Sequence, residues 1–186
     1  MTHRIVVLGA GYAGLGAAKR LARQFGTTAG DDVRVTLVNA TDRFVERVRL
    51  HQVATGQVLR DLKLADLLAG TGIELVVARV GAIDTGARNV RLDAAPHTIA
   101  FDTLVYALGS DADVDSVPGV RAHAYTLASA GQARRLHTHL TGIARGQTVA
   151  VVGGGLTGME AATELAEAHP ELRVELVTGD QVGGWL

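Results

Sequence analysis

The 186-residue chain contains no cysteine, and aromatic residues make up only 4% of it. Without cysteine there is no disulfide framework, no thiolate metal site and no redox dithiol, and a reducing, cytoplasmic location is expected. Because aromatics are scarce, the 47% of apolar residues are mostly Ala, Val and Leu, which are typical of buried parallel strands and close-packed helices. No apolar run reaches the length that spans a bilayer, so no transmembrane segment is expected.

The chain also lacks an excess of charge of either sign, since it has 18 basic and 19 acidic residues. This balance argues against a nucleic acid or an anionic membrane held by bulk electrostatics. The run Ile5–Leu8 follows Met1 so closely that no signal peptide is expected.

Metal and nucleophile signatures are weak. Asp111, Asp113 and Asp115 imitate the start of a calcium loop, but the glycine and the closing glutamate that such a loop requires are missing. His137 and His139 are two residues apart on a predicted helix, so their side chains point in different directions. We therefore expect a solvated linker, no metal site and no catalytic side chain.

The first forty residues predict one βαβ unit. A continuous apolar run precedes a glycine turn, and apolar residues then recur at helical spacing before a second apolar strand. These elements are the strand Ile5–Leu8, the turn Gly9–Gly14, a helix to Phe25, the loop Gly26–Asp32 and the strand Val33–Val38.

The later elements include a short antiparallel pair and a second glycine turn. In order, we predict a helix Asp61–Leu68, strands Ile73–Val80, Asn89–Leu92, Thr98–Phe101 and Leu104–Leu108, a linker Asp111–Gly119, a helix Ala130–Ala144, a strand Thr148–Val152, the turn Gly153–Gly158 and a strand Val174–Val177. The second turn repeats the first together with its flanking strand and helix, so the chain carries an internal duplication.

Both turns have the G-x-G-x-x-G pattern. The first glycine makes the tight turn, the second lets backbone approach a pyrophosphate, and the third lets helix and strand pack closely. Helix N-terminal amides then face the negative charge. Two copies in the same context indicate two dinucleotide sites. The acid that would accept the ribose 2′-OH is replaced by Asn39 in the first unit and by Thr178, with Asp180 nearby, in the second; NADH and NADPH both stay open.

Three motifs in order resemble the FAD-dependent pyridine nucleotide oxidoreductases with two dinucleotide-binding domains, and most of all the type II NADH dehydrogenase group. The motifs are Gly9–Gly14, Phe101–Ser110 and Gly153–Glu160, with Leu108 in place of a family threonine. The fold implied is α/β, Rossmann-like, with a parallel sheet, a small antiparallel meander and an incomplete second Rossmann unit. Residues 1–110 would belong to the FAD-binding domain, and residues 111–186 would form a linker and the start of a truncated NAD(P)H-binding domain.

The resemblance also implies which residues bind the cofactors. FAD phosphates would be cradled by the first turn, the adenine would meet the backbone of Val80, and Ala107 and Gly109 would line the flavin side. Glu160 would lie near the nicotinamide, or would simply be a first-turn glutamate favoured by the helix dipole. The full set is Gly9, Gly11, Tyr12, Ala13, Gly14, Asn39, Val80, Ala107 and Gly109 for FAD, and Gly153, Gly155, Leu156, Thr157, Gly158, Glu160 and Thr178 for NAD(P)H.

By the same resemblance, hydride would pass from NAD(P)H to FAD, and electrons would then leave to a quinone-like or other acceptor. The segment Arg43–Gln57, where related disulfide reductases carry a cysteine pair, has none. The alternatives are a ferredoxin- or rubredoxin-linked reductase and a non-catalytic nucleotide-binding or redox-sensing module. Peripheral membrane association of the full-length protein is the alternative to a purely cytoplasmic location.

The second unit ends after strand, helix and strand, whereas family members continue, so we expect an N-terminal part of a longer protein. Alone, it should bind the ADP half of FAD weakly or not at all and lack turnover. Uncovered apolar faces near Met159, Leu165 and Val174–Val177 should then drive self-association.

Overall fold

The computed structural model describes residues 2–25, 32–179 and 181–182. Residues 26–31 of the predicted loop Gly26–Asp32, together with Asp180 and the terminal Trp185–Leu186, lie outside the described residues. The chain divides into two compact units, the first made of Met1–Val45 and Asp61–Gly109, and the second of Glu46–Arg60 and Ser110–Leu186. The second unit therefore includes a segment from the first half of the chain, which the sequence pattern did not indicate.

The first unit is built on a four-stranded parallel sheet in the order β3-β2-β1-β7. Its other elements are one long helix, one short helix and a three-stranded antiparallel sheet in the order β4-β5-β6. The bounds are β1 His3–Leu8, α1 Tyr12–Phe25, β2 Val33–Asn39, α3 Leu64–Leu68, β3 Glu74–Val77, β4 Val80–Asp84, β5 Asn89–Leu92, β6 Thr98–Ala100 and β7 Thr103–Tyr106.

Both faces of the parallel sheet are covered, which explains why its strands are continuous apolar runs. Alternate residues of β1 point to opposite faces: Ile5 and Val7 join one buried cluster with Ala18 of α1, while Val6 and Leu8 join a second cluster with Val90 of the antiparallel sheet. The unit thus has three layers, and the predicted α/β class with a parallel sheet and an antiparallel meander is confirmed.

The predicted strand Ile73–Val80 is wrong as one element, because the chain changes sheets within it. β3 ends at Val77, and Val80 begins β4 of the antiparallel sheet. Between them, Ala78 N donates to Asn39 O at 2.9 Å and Arg79 N donates to the Asp93 carboxylate at 2.7 Å. These bonds satisfy the backbone at the crossing, where a continuous strand would need ladder partners.

The second unit contains a βαβ unit and a small group of helices. A 3-10 turn at Arg47–Arg49 precedes α2, and α2 packs against α5 and α6. The strands β8 and β9 are parallel and in register. The bounds are α2 Leu50–Ala54, α4 Val120–His123, α5 Ala130–Leu140, β8 Thr148–Val152, α6 Leu156–Ala168 and β9 Arg173–Val177.

Several predicted bounds and one predicted exposed face need correction. The helix predicted to reach Ala144 ends at Leu140, where Thr141 and Gly142 close it with turn hydrogen bonds. The helix predicted from Asp61 begins at Leu64, and the strand predicted to reach Leu108 ends at Tyr106. Leu165 was expected on an uncovered face, but it is 3% exposed because α6 covers the β8–β9 sheet on that side.

No helix among the described residues is long and apolar enough to cross a bilayer.

Candidate functional site

The first glycine turn joins β1 to α1 at the carboxyl end of the parallel sheet. Gly9 has φ +94°, a backbone conformation that favours glycine. A Cβ on Gly9 would lie 2.3 Å from the carbonyl oxygen of Ala107. Gly9 N donates to Val38 O at 2.8 Å, so the turn is attached to the end of β2 as well.

The other two glycines of this turn have opposite surroundings. A Cβ on Gly14 would lie 1.8 Å from the carbonyl oxygen of Gly9, so this glycine permits the close approach of helix and strand. A Cβ on Gly11 would meet no atom within 4 Å. The turn is therefore closed on the protein side at Gly14 and open at Gly11, where a ligand would approach.

The first turn of α1 borders this opening. Tyr12 and Ala13 are both exposed, and the first N–H groups of a helix have no acceptor inside the helix. The Tyr12 ring meets the Phe44 ring edge-on, with centroids 5.0 Å apart. Backbone amides and the positive end of the helix dipole thus converge on a place suited to a pyrophosphate.

The second glycine turn reproduces the first in the second unit. Gly153 has φ +124°, and its N–H donates to Val177 O at 2.8 Å. A Cβ on Gly158 would lie 1.8 Å from Gly153 O, whereas a Cβ on Gly155 would meet nothing within 4 Å. Leu156 and Thr157, in the first turn of α6, are exposed. The internal repeat therefore extends to backbone geometry.

Gly154 stands between the first and second motif glycines of the second turn and has a steric role that sequence reasoning missed. A Cβ on Gly154 would lie 2.3 Å from the hydroxyl oxygen of Thr178 and 2.7 Å from its Cβ. Thr178 stands at the end of β9, where the ribose-binding acid was expected. The signal available in the sequence was an extra glycine at position 154 together with a β-branched residue at position 178.

The corresponding residue of the first unit, Asn39, also contacts its glycine turn. Its Oδ1 accepts a hydrogen bond from Ala10 N at 2.9 Å, and its Nδ2 donates to Thr41 O at 2.9 Å. Both ends of the amide are therefore bonded within the protein.

The remaining residues predicted for FAD lie at the ends of strands. Ala107 N donates to Leu8 O at 2.9 Å, which continues the ladder between β1 and β7 and places Ala107 against Gly9. Gly109 follows with φ +78°. Val80, by contrast, is the first residue of β4. The roles of these residues toward a cofactor stay predictions.

Glu160 is half-buried and faces α2 inside the second unit. Its carboxylate lies 3.8 Å from Nδ1 of His51. One turn later, Glu164 accepts hydrogen bonds from the Thr55 hydroxyl at 3.5 Å and from the Gln57 amide. The two carboxylates thus attach α2 to α6, a contact between distant parts of the sequence that the motifs did not indicate.

An ion pair lies at the amino ends of β1 and β7. The Asp102 carboxylate accepts three hydrogen bonds from Arg4: from its backbone N at 2.8 Å, and from Nε and Nη2 at 3.0 Å each. The side-chain bonds first, and then the backbone bond, hold the pKa of Asp102 well below its usual range. This pair joins the amino ends of the two strands, at the opposite end of the sheet from the glycine turn.

In the acidic linker, the Asp113 carboxylate accepts hydrogen bonds from the backbone N–H groups of Asp115 and Ser116 at 3.0 Å each. These bonds, chiefly the one from Ser116, lower the pKa of Asp113. The carboxylate is thus used in a local turn.

Comparison with known proteins decides the family. Residues 3–181 match the model of the pyridine nucleotide-disulphide oxidoreductase family. The chain belongs to this family. The predicted family is thereby confirmed, and the predicted cofactor pair, FAD and NAD(P)H, is that of the family.

Two curated relatives show how much of such a protein the chain represents. It is 33% identical over 168 residues to an NADH dehydrogenase-like protein of Mycobacterium tuberculosis, covering 87% of this chain and 42% of the relative. It is 31% identical over 183 residues to the type II NADH:quinone oxidoreductase of Staphylococcus saprophyticus, covering 91% and 44%. The chain spans less than half the length of these relatives.

Solved structures share the fold at low identity. The sulfide:quinone oxidoreductase of Aquifex aeolicus aligns with a TM-score of 0.77 and 22% identity, over 95% of this chain and 43% of that one. NDH2 from Plasmodium falciparum aligns with a TM-score of 0.73 and 17% identity, over 95% and 41%.

Proposed function

We propose that this chain carries the two dinucleotide-cradling turns of an FAD-dependent NAD(P)H oxidoreductase, with FAD on the first turn and NAD(P)H on the second. The observation that carries the proposal is the matched geometry of the turns. In each, the first glycine has positive φ, the third lies where a Cβ would overlap a backbone oxygen, and the second faces open space. A purely structural turn has no need of that opening.

In this proposal the chain's residues bind and orient the cofactors. The exposed N–H groups at the starts of α1 and α6 hold the pyrophosphates, and Gly11 and Gly155 admit them at close range. When bound, the cofactors supply the redox chemistry, in which a hydride passes from nicotinamide to flavin and electrons go on to an acceptor. The chain adds no thiol to this chemistry, since it contains no cysteine.

A quinone-like or other small-molecule acceptor is the one we propose. Support comes from relatives and neighbours that are named as NADH:quinone and sulfide:quinone oxidoreductases. A cytoplasmic location, with peripheral association at a membrane where a quinone would be met, fits this acceptor.

We also propose that the chain self-associates through the open face of the β8–β9 sheet. Side chains on this sheet alternate between a face under α6 and an open face. On the open face, Val152 is 81% exposed and Val177 is 48% exposed. These two apolar side chains are paired across the strands beside the exposed Arg173 and Glu175, and association would remove them from water.

The test of function is flavin loading and reduction in the full-length protein. We expect bound flavin absorbance that NADH or NADPH bleaches, with reoxidation by a soluble quinone. Gly11→Ala should lower flavin content, Gly155→Ala should keep flavin but weaken bleaching, and Gly16→Ala, on the exposed side of α1, is the matched control. Flavin that neither nucleotide bleaches would favour a sensor, and reoxidation only by an iron–sulfur protein would favour the ferredoxin-type rival. Absence of flavin would refute the proposal.

A further inference from the structure

Asn39 occupies the end of β2 and joins three backbone segments. Its side-chain oxygen accepts from Ala10 N at 2.9 Å, and its side-chain nitrogen donates to Thr41 O at 2.9 Å. Its own carbonyl oxygen accepts from Ala78 N at 2.9 Å. One residue therefore connects the glycine turn, the turn after β2 and the chain that leaves β3.

The hydrogen bond from Asn39 gives the Ala10 N–H an acceptor at a place that water does not reach. Ala10 is only 3% exposed, so its N–H needs an acceptor from the protein. A buried donor without a partner is costly. The neighbouring N–H of Gly9 is already bonded to Val38 O at 2.8 Å. With Gly9 and Ala10 both fixed to β2, the backbone that follows is directed toward the open side at Gly11.

The amide satisfies both neighbours, which a carboxylate would not. An aspartate at position 39 could still accept from Ala10 N, but its second oxygen would face the carbonyl oxygen of Thr41 at the distance where Asn39 now donates. Oδ1 and Nδ2 are thus each engaged inside the protein, and a ribose contact of the kind expected from the motif would have to share atoms that already hold the two turns.

We propose that Asn39 is a positioning residue for the first glycine turn and not a ribose ligand. The amide holds Ala10 so that the N–H groups of the turn and of α1 are arranged for the pyrophosphate before the ligand arrives. The first site then binds its dinucleotide mainly through the diphosphate, with no charged group on the ribose from this position. This inference rests on the proposed function of the first turn.

The experiment combines amide hydrogen exchange, resolved to single residues, with flavin binding in the full-length protein. Asn39→Leu removes both hydrogen bonds at similar volume, and Asn39→Asp retains the acceptor. Asn89→Asp, the same chemical change in the antiparallel sheet, is the matched control. We expect Asn39→Leu to speed Ala10 exchange by about tenfold or more and to raise the FAD dissociation constant by about tenfold. Exchange at Val7 and Leu37 in the sheet core should not change.

Asn39→Asp decides between positioning and ribose binding, also if the leucine variant does not fold. Positioning predicts that Ala10 stays protected to within about threefold of the parent and that FAD binds no more tightly. Tighter FAD binding in Asn39→Asp would indicate a ribose contact and overturn the inference. Unchanged exchange at Ala10 in Asn39→Leu would also overturn the inference. Exchange that is faster by the same factor across all of β1 and β2 would overturn it too, because it would indicate a general structural role for Asn39. If the parent binds no flavin, the proposed function fails while the exchange data still decide the contact.

Discussion

Gly14 offers a sharp test of how the first turn is built. A Cβ at this position would lie 1.8 Å from Gly9 O, whereas non-bonded heavy atoms pack at roughly 3.5 Å. Because the neighbour is backbone, it cannot rotate away, and the start of α1 would have to move back by roughly 1–2 Å. Overpacking of this kind costs about 1–3 kcal/mol of unfolding free energy. Because the neighbouring backbone oxygen cannot move away, the steric cost of Gly14→Ala should lie near the upper end of that range.

The same helix provides the control. Gly16 is exposed, and a Cβ there meets nothing within 4 Å. Gly14→Ala and Gly16→Ala gain the same helix propensity, about 0.8–1 kcal/mol, so the difference between them isolates the steric cost. We expect Gly16→Ala to stabilise by up to about 1 kcal/mol and Gly14→Ala to destabilise by about 2 kcal/mol, a gap of about 3 kcal/mol.

The assay is urea unfolding followed by far-ultraviolet circular dichroism, with free energies compared at equal slope. Gly158→Ala should repeat the loss in the second unit, because its Cβ would also lie 1.8 Å from a glycine oxygen. If Gly14→Ala is as stable as Gly16→Ala, the close approach of helix and strand at this turn is refuted.

Three further predictions concern binding, pH and the second turn. Gly11→Ala should leave unfolding free energy within about 0.5 kcal/mol of the parent but weaken FAD binding measured by fluorescence titration; unchanged affinity would contradict an open phosphate site. The Arg4–Asp102 pair lowers the folded-state pKa of Asp102, so its stabilisation is present above the unfolded value of about 3.9 and is lost as pH falls through the folded pKa. The unfolding free energy of Asp102→Asn should therefore be lower than that of the parent at neutral pH, and the two values should converge in acid. A difference in unfolding free energy that does not change with pH would contradict the linkage. Gly154→Ala should lower the melting temperature, because its Cβ would lie 2.3 Å from the Thr178 hydroxyl, and an unchanged melting temperature would argue against that contact.

Most strand and turn positions could be predicted because their causes are local. The continuous apolar run of β1 and the glycine spacing at residues 9–14 each depend on neighbouring residues, and the structure has both. The error at Val80 has a non-local cause, since the chain leaves one sheet for another where Asn39 O and Asp93 accept its N–H groups. The bounds near Leu140 differ because tertiary and turn contacts decide where a helix stops.

The candidate site divides in the same way. The phosphate-cradling role proposed for Gly11 and Gly155 is a prediction from the motif, and the structure adds the open space around both. The partners of Asn39 could not be read from the sequence, because a single amide serves equally as a ribose ligand or as a bond to Ala10. The distance of 2.9 Å between Oδ1 and Ala10 N is the observation that supports the second role.

The sequence alone determined the two strand–turn–helix corners and their repetition, because glycine conformation and apolar periodicity act over a few consecutive residues. Tertiary structure alone decided that Glu46–Arg60 joins the second unit, where Glu160 faces His51 and Glu164 bonds Thr55. Those contacts join residues about a hundred positions apart, and such pairing depends on how whole elements pack, which no local pattern encodes.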